Sequence, residues 1–274
     1  MTQETANSAG PLTVVYSHNS VTDIDLTLKA AGPILGKEFD RDSIRFLSSW
    51  GSYLKPTVEY RPCGHYLSLL DSSIKRAVVL RNTISIPSSK SLAVVFGTML
   101  SRMGEGSEIF IQSPKASKAS NTWVTSEQLR GYLPSCTVAD EAGKKKGWIR
   151  VEWGAGVTDD IDNLGSIYPR LSSQSDGFCQ VLGQSNHLFS DSSSQSSAME
   201  VFIYSMHWAL HSRSVIDSLF HMYEKSDFMR VLDIGGSFGF LACELATNGH
   251  HVTNLELMKY RIDQVFPWLI EASG

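Results

Sequence analysis

One segment constrains the fold more than any other: Val231-Leu232-Asp233-Ile234-Gly235-Gly236-Ser237-Phe238-Gly239-Phe240-Leu241-Ala242. An apolar run ends in an acid, passes through a glycine-rich turn and continues into residues with helical spacing. Glycine has no Cβ, so the backbone can bend sharply there and approach a ligand closely. The helix that follows begins with free N–H groups and positive potential. A second strand is predicted at 251–257, with Glu256 near its end. Glu256 follows Gly235 by about twenty residues, the spacing that puts a carboxylate at the tip of the neighbouring strand, where it can accept both hydroxyls of a ribose. Strand, turn, helix, strand and acid in this order define a βαβ unit. A unit whose glycines serve only the turn would carry the same pattern.

The front half of the chain reads as a parallel sheet closed by a hairpin. Ala77-Val78-Val79-Leu80 is an unbroken apolar run, the mark of a strand covered on both faces. Helices are predicted at 88–103 and 125–133, the latter with Thr125 as N-cap and Glu127 in its first turn. Glu108-Ile109-Phe110-Ile111-Gln112 is a second strand. Strands at 136–139 and 148–153 flank Gly143-Lys144-Lys145-Lys146-Gly147, which predicts an antiparallel hairpin with a solvated lysine turn at a sheet edge. Further expectations are a strand at 12–16, helical spacing within 22–54 through Ile44, Leu47 and Trp50, a strand at 58–60 and a short helix at 66–74. Serine dominates 172–197, as a linker or a lid over a substrate, and 198–223 returns to a helical pattern. The last helix, 259–272, is bent or restarted at Pro267.

Composition narrows the function classes. The chain has 274 residues, and its 24 basic against 28 acidic side chains give a formal charge of −4. That argues against a strongly basic nucleic-acid binder. Cys63, Cys136, Cys179 and Cys243 are scattered without CxxC spacing, so neither a zinc site nor a disulfide framework is predicted. The polar N-terminus carries no signal peptide pattern and no apolar run spans a bilayer. A cytoplasmic protein is expected.

The segment around Asp233 resembles the first motif of the class I S-adenosylmethionine-dependent methyltransferases, acid-x-Gly-x-Gly-x-Gly. Ser237 stands where that family has its middle glycine, and a small residue there still lets the backbone approach a ligand. The G-x-G-x-x-G of dinucleotide binders is absent. The resemblance implies that Asp233, Gly235, Gly236, Ser237 and Gly239 border the amino-acid part of S-adenosyl-L-methionine and that Glu256 holds its ribose. It also implies a place for Asn82, at the tip of the strand 77–80, beside the donor methyl.

The family carries this motif early, with five more strands after it, whereas here few residues follow. The front half resembles the family's later half, with the strand at 12–16 or 58–60 as its third strand and the hairpin as its closing pair. The expected architecture is therefore an α/β, Rossmann-like methyltransferase sheet with helices on both faces and a terminal antiparallel hairpin, circularly permuted. It divides into an N-terminal segment (1–56), the later half of the fold (57–153), a Ser-rich lid and helical cap (154–228) and the opening half with the cofactor motif (229–274). The alternative is a truncated enzyme whose front half is an unrelated domain.

Methyl transfer needs alignment of nucleophile, methyl and sulfur, and a base only where the nucleophile must lose a proton. Asn82 is followed by Thr83-Ile84 rather than the Pro-Pro-aromatic run of enzymes that methylate exocyclic amino groups of nucleic acids. Pro62-Cys63 resembles the nucleophile dipeptide of cytosine-C5 methyltransferases but precedes the wrong strand. Lys115 and Glu152 alone do not make the Lys-Asp-Lys-Glu set of RNA ribose methylation. His207 and His211 share a helical face, but no third metal ligand stands at motif spacing. His187 lies in the serine-rich stretch, and no residue is assigned as catalytic base. The expected activity is methylation of oxygen or nitrogen on a small-molecule acceptor, with a homodimer among the assemblies it allows and neither metal nor membrane involved. A catalytically silent binding or interaction module and an RNA methyltransferase are the alternatives.

Overall fold

The computed structural model describes residues 12–17, 24–36, 44–48, 70–80, 89–113, 124–167, 171, 177–178, 180–181, 209, 212, 216 and 229–273. Their front part is β1 (Thr13–Ser17), α1 (Ile24–Leu35), β2 (Ile44–Ser48), β3 (Arg76–Val79), α2 (Ser89–Met103), β4 (Glu108–Gln112), α3 (Ser126–Tyr132), β5 (Thr137–Asp140), a 3₁₀ turn (Gly143–Lys145), β6 (Trp148–Glu152) and α4 (Val157–Asn163). The rear part is β7 (Arg230–Ile234), α5 (Phe240–Thr247), β8 (His251–Leu255), a π-helical turn (Arg261–Val265) and α6 (Phe266–Ser273).

The front strands form one six-stranded sheet in the order β2-β1-β3-β4-β6-β5. The first four are parallel; β6 runs against β4, and β5 against β6. Alternation along each strand sorts its side chains between two layers. Val15, Val78, Phe110 and Trp148 face one side, where Leu28, Ala31 and Ile34 of α1 cover them. Val14, Tyr16, Ala77, Val79, Ile109 and Ile111 face the other, beneath α2. Helices thus lie on both faces, which is why the buried residues of β3 and β4, Ala77–Val79 and Ile109–Ile111, are all apolar.

The helix α2 is buried nearly all round, and Thr98 satisfies its hydroxyl there by donating to Val94 O at 2.7 Å. Gly97 lets α4 close in, since a Cβ would meet Ile161 Cγ1 at 2.8 Å. Thr125 caps α3 as predicted, and Gln128 completes a reciprocal capping box. The hairpin is also as predicted. Its lysine turn is partly tethered: Lys145 Nζ sits 5.0 Å from the centroid of Phe110, while Lys144 and Lys146 are exposed.

The rear strands behave differently. β7 and β8 pair in parallel with each other and form a separate two-stranded sheet. Phe238 and Phe240 join the main core together with Phe178, Val265 and Leu269. Two polar ties reach the turn after α4. Glu244, 1% exposed, accepts the Ile167 N–H at 2.9 Å through Oε2, and Asn248 Nδ2 donates to Gly165 O at 2.6 Å.

Several expectations are corrected here. A permuted sheet would seat the strand 229–234 beside 77–80. Instead β3 has β1 on one side and β4 on the other, so the slot is filled. The strand at 12–16 is accordingly central rather than third. Residues 44–48 are a strand, not a continuation of the helix, because β1 supplies a parallel partner in register from Thr13↔Ile44 to Ser17↔Ser48. Residues 70–75 are not helical. The strand expected at 58–60 and nearly all of 182–228 lie outside the described residues.

Candidate functional site

The rear strand β7 delivers Asp233 to the mouth of the glycine turn. Three residues of that turn take positive φ: Gly235 at 71°, Ser237 at 53° and Gly239 at 81°. Glycine reaches this region without strain, whereas serine pays for its Cβ. The serine position is thus the strained one. Gly235 N–H donates to Leu255 O at 2.8 Å, which fixes the turn to β8, and Gly239 N–H donates to Gly236 O at 2.9 Å. Gly235 is exposed, so the outer side of the turn is open.

Gly236 has no room for a side chain. A Cβ there would lie 2.4 Å from both Asp233 Oδ2 and Asn254 Oδ1. Those two oxygens are buried and have no hydrogen-bond partner. Burial pushes the Asp233 carboxyl above its ordinary range, with no charged neighbour to offset it. Asn254 was invisible in the sequence as a site residue. Its importance comes from being the register partner of Asp233 across β7 and β8.

Glu256 does stand at the end of β8, but it is already engaged. Its Oε1 accepts N–H bonds from Leu257 at 2.7 Å and Met258 at 2.9 Å, and Oε2 accepts from Arg261 Nη1 at 2.9 Å. Burial opposes ionisation, yet the bonds from Met258, Arg261 and Leu257 outweigh it and hold the carboxyl below the usual range. A carboxylate offers about four acceptor sites, so one remains, on Oε2. As it stands, Glu256 has capacity for one ribose hydroxyl rather than two.

Arg261 carries that engagement further. Its guanidinium lies 4.7 Å from the Phe238 ring centroid, and its Nε donates to Tyr260 Oη at 3.0 Å. Phe238 in turn packs edge-on to Phe178 at 5.5 Å, and Phe178 meets Phe240 and Trp268. The loop is therefore backed by aromatic rings drawn from three segments. Arg261 and Phe178 were missed in the sequence: the signal that could have found Arg261 is a cationic residue five positions after Glu256, and nothing local marks Phe178.

Most of the remaining sequence candidates fall outside the described residues. Asn82 and Arg81 lie outside the described residues, as do His187, His207, His211, Cys63, Cys179 and Lys115. Glu152 pairs with Arg150 at 2.8 Å. Cys136 is a buried free thiol pushed up to about 11, chiefly by burial. Among the described residues no cluster of metal-binding side chains occurs, and no helix is long and apolar enough to cross a membrane.

Comparison of the chain with family models, with curated proteins and with solved structures finds no match. The α/β, largely parallel and Rossmann-like architecture therefore rests on the sheet and its helices alone.

Proposed function

We propose that residues 229–273 hold S-adenosyl-L-methionine and that the chain is a methyltransferase acting on a small-molecule acceptor. One observation carries the reading: a tight glycine turn, with an acid at its mouth and no space for a side chain at Gly236, joins an apolar parallel strand to a helix. Such a turn brings backbone N–H groups within reach of a ligand. In this reading Asp233 and the turn residues Gly235, Gly236, Ser237 and Gly239 border the amino-acid part, and Glu256 takes one ribose hydroxyl. The bound group would supply an electrophilic methyl on sulfur. Asn82 stays in the proposal as a cofactor neighbour from its sequence position only. The acidic balance of the chain favours a small acceptor over RNA. The reading rests on the rear βαβ unit, which forms a sheet of its own, and not on a permuted order of one shared sheet.

A second reading, a catalytically silent relative that binds a protein partner, is favoured by the exposed row Leu232, Ile234 and Leu255. Calorimetric titration with S-adenosylhomocysteine decides first between binding and no binding. Micromolar affinity, lost in Asp233→Ala and weakened in Glu256→Ala, is expected. No heat from a folded parent chain overturns the cofactor reading.

A further inference from the structure

The two orphaned oxygens beneath Gly236 need a donor. Asp233 Oδ2 and Asn254 Oδ1 come from register partners, and both crowd the same point under the turn. Native interiors rarely leave two acceptors facing each other. The oxygen and the NH₂ of an amide have nearly the same shape, so a half-turn of the Asn254 side chain exchanges them without displacing a neighbour. The NH₂ now sits on the Gly239 side, 3.2 Å from where a Cβ of Gly239 would be, and makes no hydrogen bond among the described residues.

We propose that Asn254 is a positioning residue for the glycine turn: its amide donates to Asp233 Oδ2, pins that carboxylate under Gly236 and leaves Oδ1 to meet a ligand. Only Oδ2 is enclosed, and Oδ1 remains within reach of solvent. Several charged groups on the adjoining elements are committed elsewhere. Glu244 on α5 takes the Ile167 N–H, Glu256 and Arg261 beyond β8 hold each other, and His250 Nδ1 takes the Met229 N–H. The hydrogen bond stands on geometry; what Oδ1 meets rests on the cofactor reading.

The test is a carboxyl titration by NMR on the full chain, with the Asp233 signal assigned through Asp233→Asn. In the parent, the Asn254 donor is expected to offset the upward push of burial, so that Asp233 titrates no higher than the ordinary aspartate range. Asn254→Ala should raise its midpoint by about one unit, and Asn254→Asp by more, since two carboxylates then share one site. Exchanging the pair, Asp233→Asn with Asn254→Asp, restores an amide–carboxylate contact with roles reversed. Amide exchange at Gly236 and Gly239 should quicken roughly tenfold in Asn254→Ala and Asn254→Asp and slow again in the exchanged pair. A parent midpoint above the ordinary range that Asn254→Ala leaves unmoved overturns the proposal, as does an exchanged pair no slower than the worse single variant. S-adenosylhomocysteine binding is read separately. A titration that responds to Asn254 in a chain that binds no S-adenosylhomocysteine keeps the hydrogen bond and removes the cofactor reading.

Discussion

The two sheets of this protein obey opposite burial rules although both are parallel where it matters. In β3 and β4 every central side chain is enclosed. In β7 and β8 exposed and half-buried residues alternate, and Ile234 is 76% exposed. Every large, exposed apolar side chain among the described residues lies between Leu232 and Ile270. The difference follows from cover. The front sheet has helices on both faces, whereas α5 and α6 leave the Leu232 side of the rear sheet bare. Its inner face is occupied not by aliphatic packing alone but by Asp233 and Asn254. The front is built for stability, and the rear concentrates polar groups and strain around one turn.

The largest expected effect separates the sheets by deletion. Phe96→Ala, in the fully enclosed core of α2, should cost about 3–5 kcal/mol in urea unfolding. Leu257→Ala, at a side chain 98% exposed, should stay within about 0.5 kcal/mol. Equal losses at both sites would erase the contrast. Next comes Gly236→Ala, which forces apart Asp233 and Asn254. It should destabilise the rear unit by about 1–3 kcal/mol and abolish S-adenosylhomocysteine binding, while exchange protection in β3 and β4 is kept.

A smaller effect is set by pH. Glu256 has a lowered pKa, so its stabilisation is full above the unfolded carboxyl value of about 4.3 and is lost as pH falls through the folded value. Hydrogen-exchange protection of β7 and β8, taken relative to the intrinsic rate at each pH, should therefore fall with acid below that point, and Glu256→Gln should flatten the dependence. Protection in β3 and β4 should not follow it. Smallest of all, Ser237→Gly removes a Cβ from a positive-φ position. The gain should be under about 1 kcal/mol, because glycine's extra unfolded freedom offsets part of the relief. A loss on that substitution would mean that the serine hydroxyl makes a contact worth more than the strain.

How legible was all this in the residues? Ala77–Leu80 announced a buried strand because four apolar residues in a row fit only a doubly covered position. The hairpin followed from two strands and a glycine-flanked turn. Ile44, Leu47 and Trp50 suggested a helix because their spacing of three is helical, but Ile44 and Phe46 also alternate, and the deciding partner, β1, is distant in sequence. The permutation had the same weakness. Two halves that look complementary in pattern join one sheet only if their edge strands hydrogen-bond, and no local signal records that. At the site, Gly235 to Gly239 and Asp233 were legible because a turn chemistry is local. Asn254 was not, since a lone asparagine in a strand gains meaning only from its cross-strand neighbour. Glu256 follows the end of β8, but its three hydrogen bonds depend on Arg261 and on the chain reversal after β8.

The bare row on β7 and β8 also sets how this molecule behaves in bulk. Apolar contact strengthens with warming near room temperature and with excluded salts such as sulfate. Retention on a phenyl column should rise with both and fall when Leu232 and Ile234 are replaced by lysine, which makes one face of one small sheet a lever on the handling of the protein.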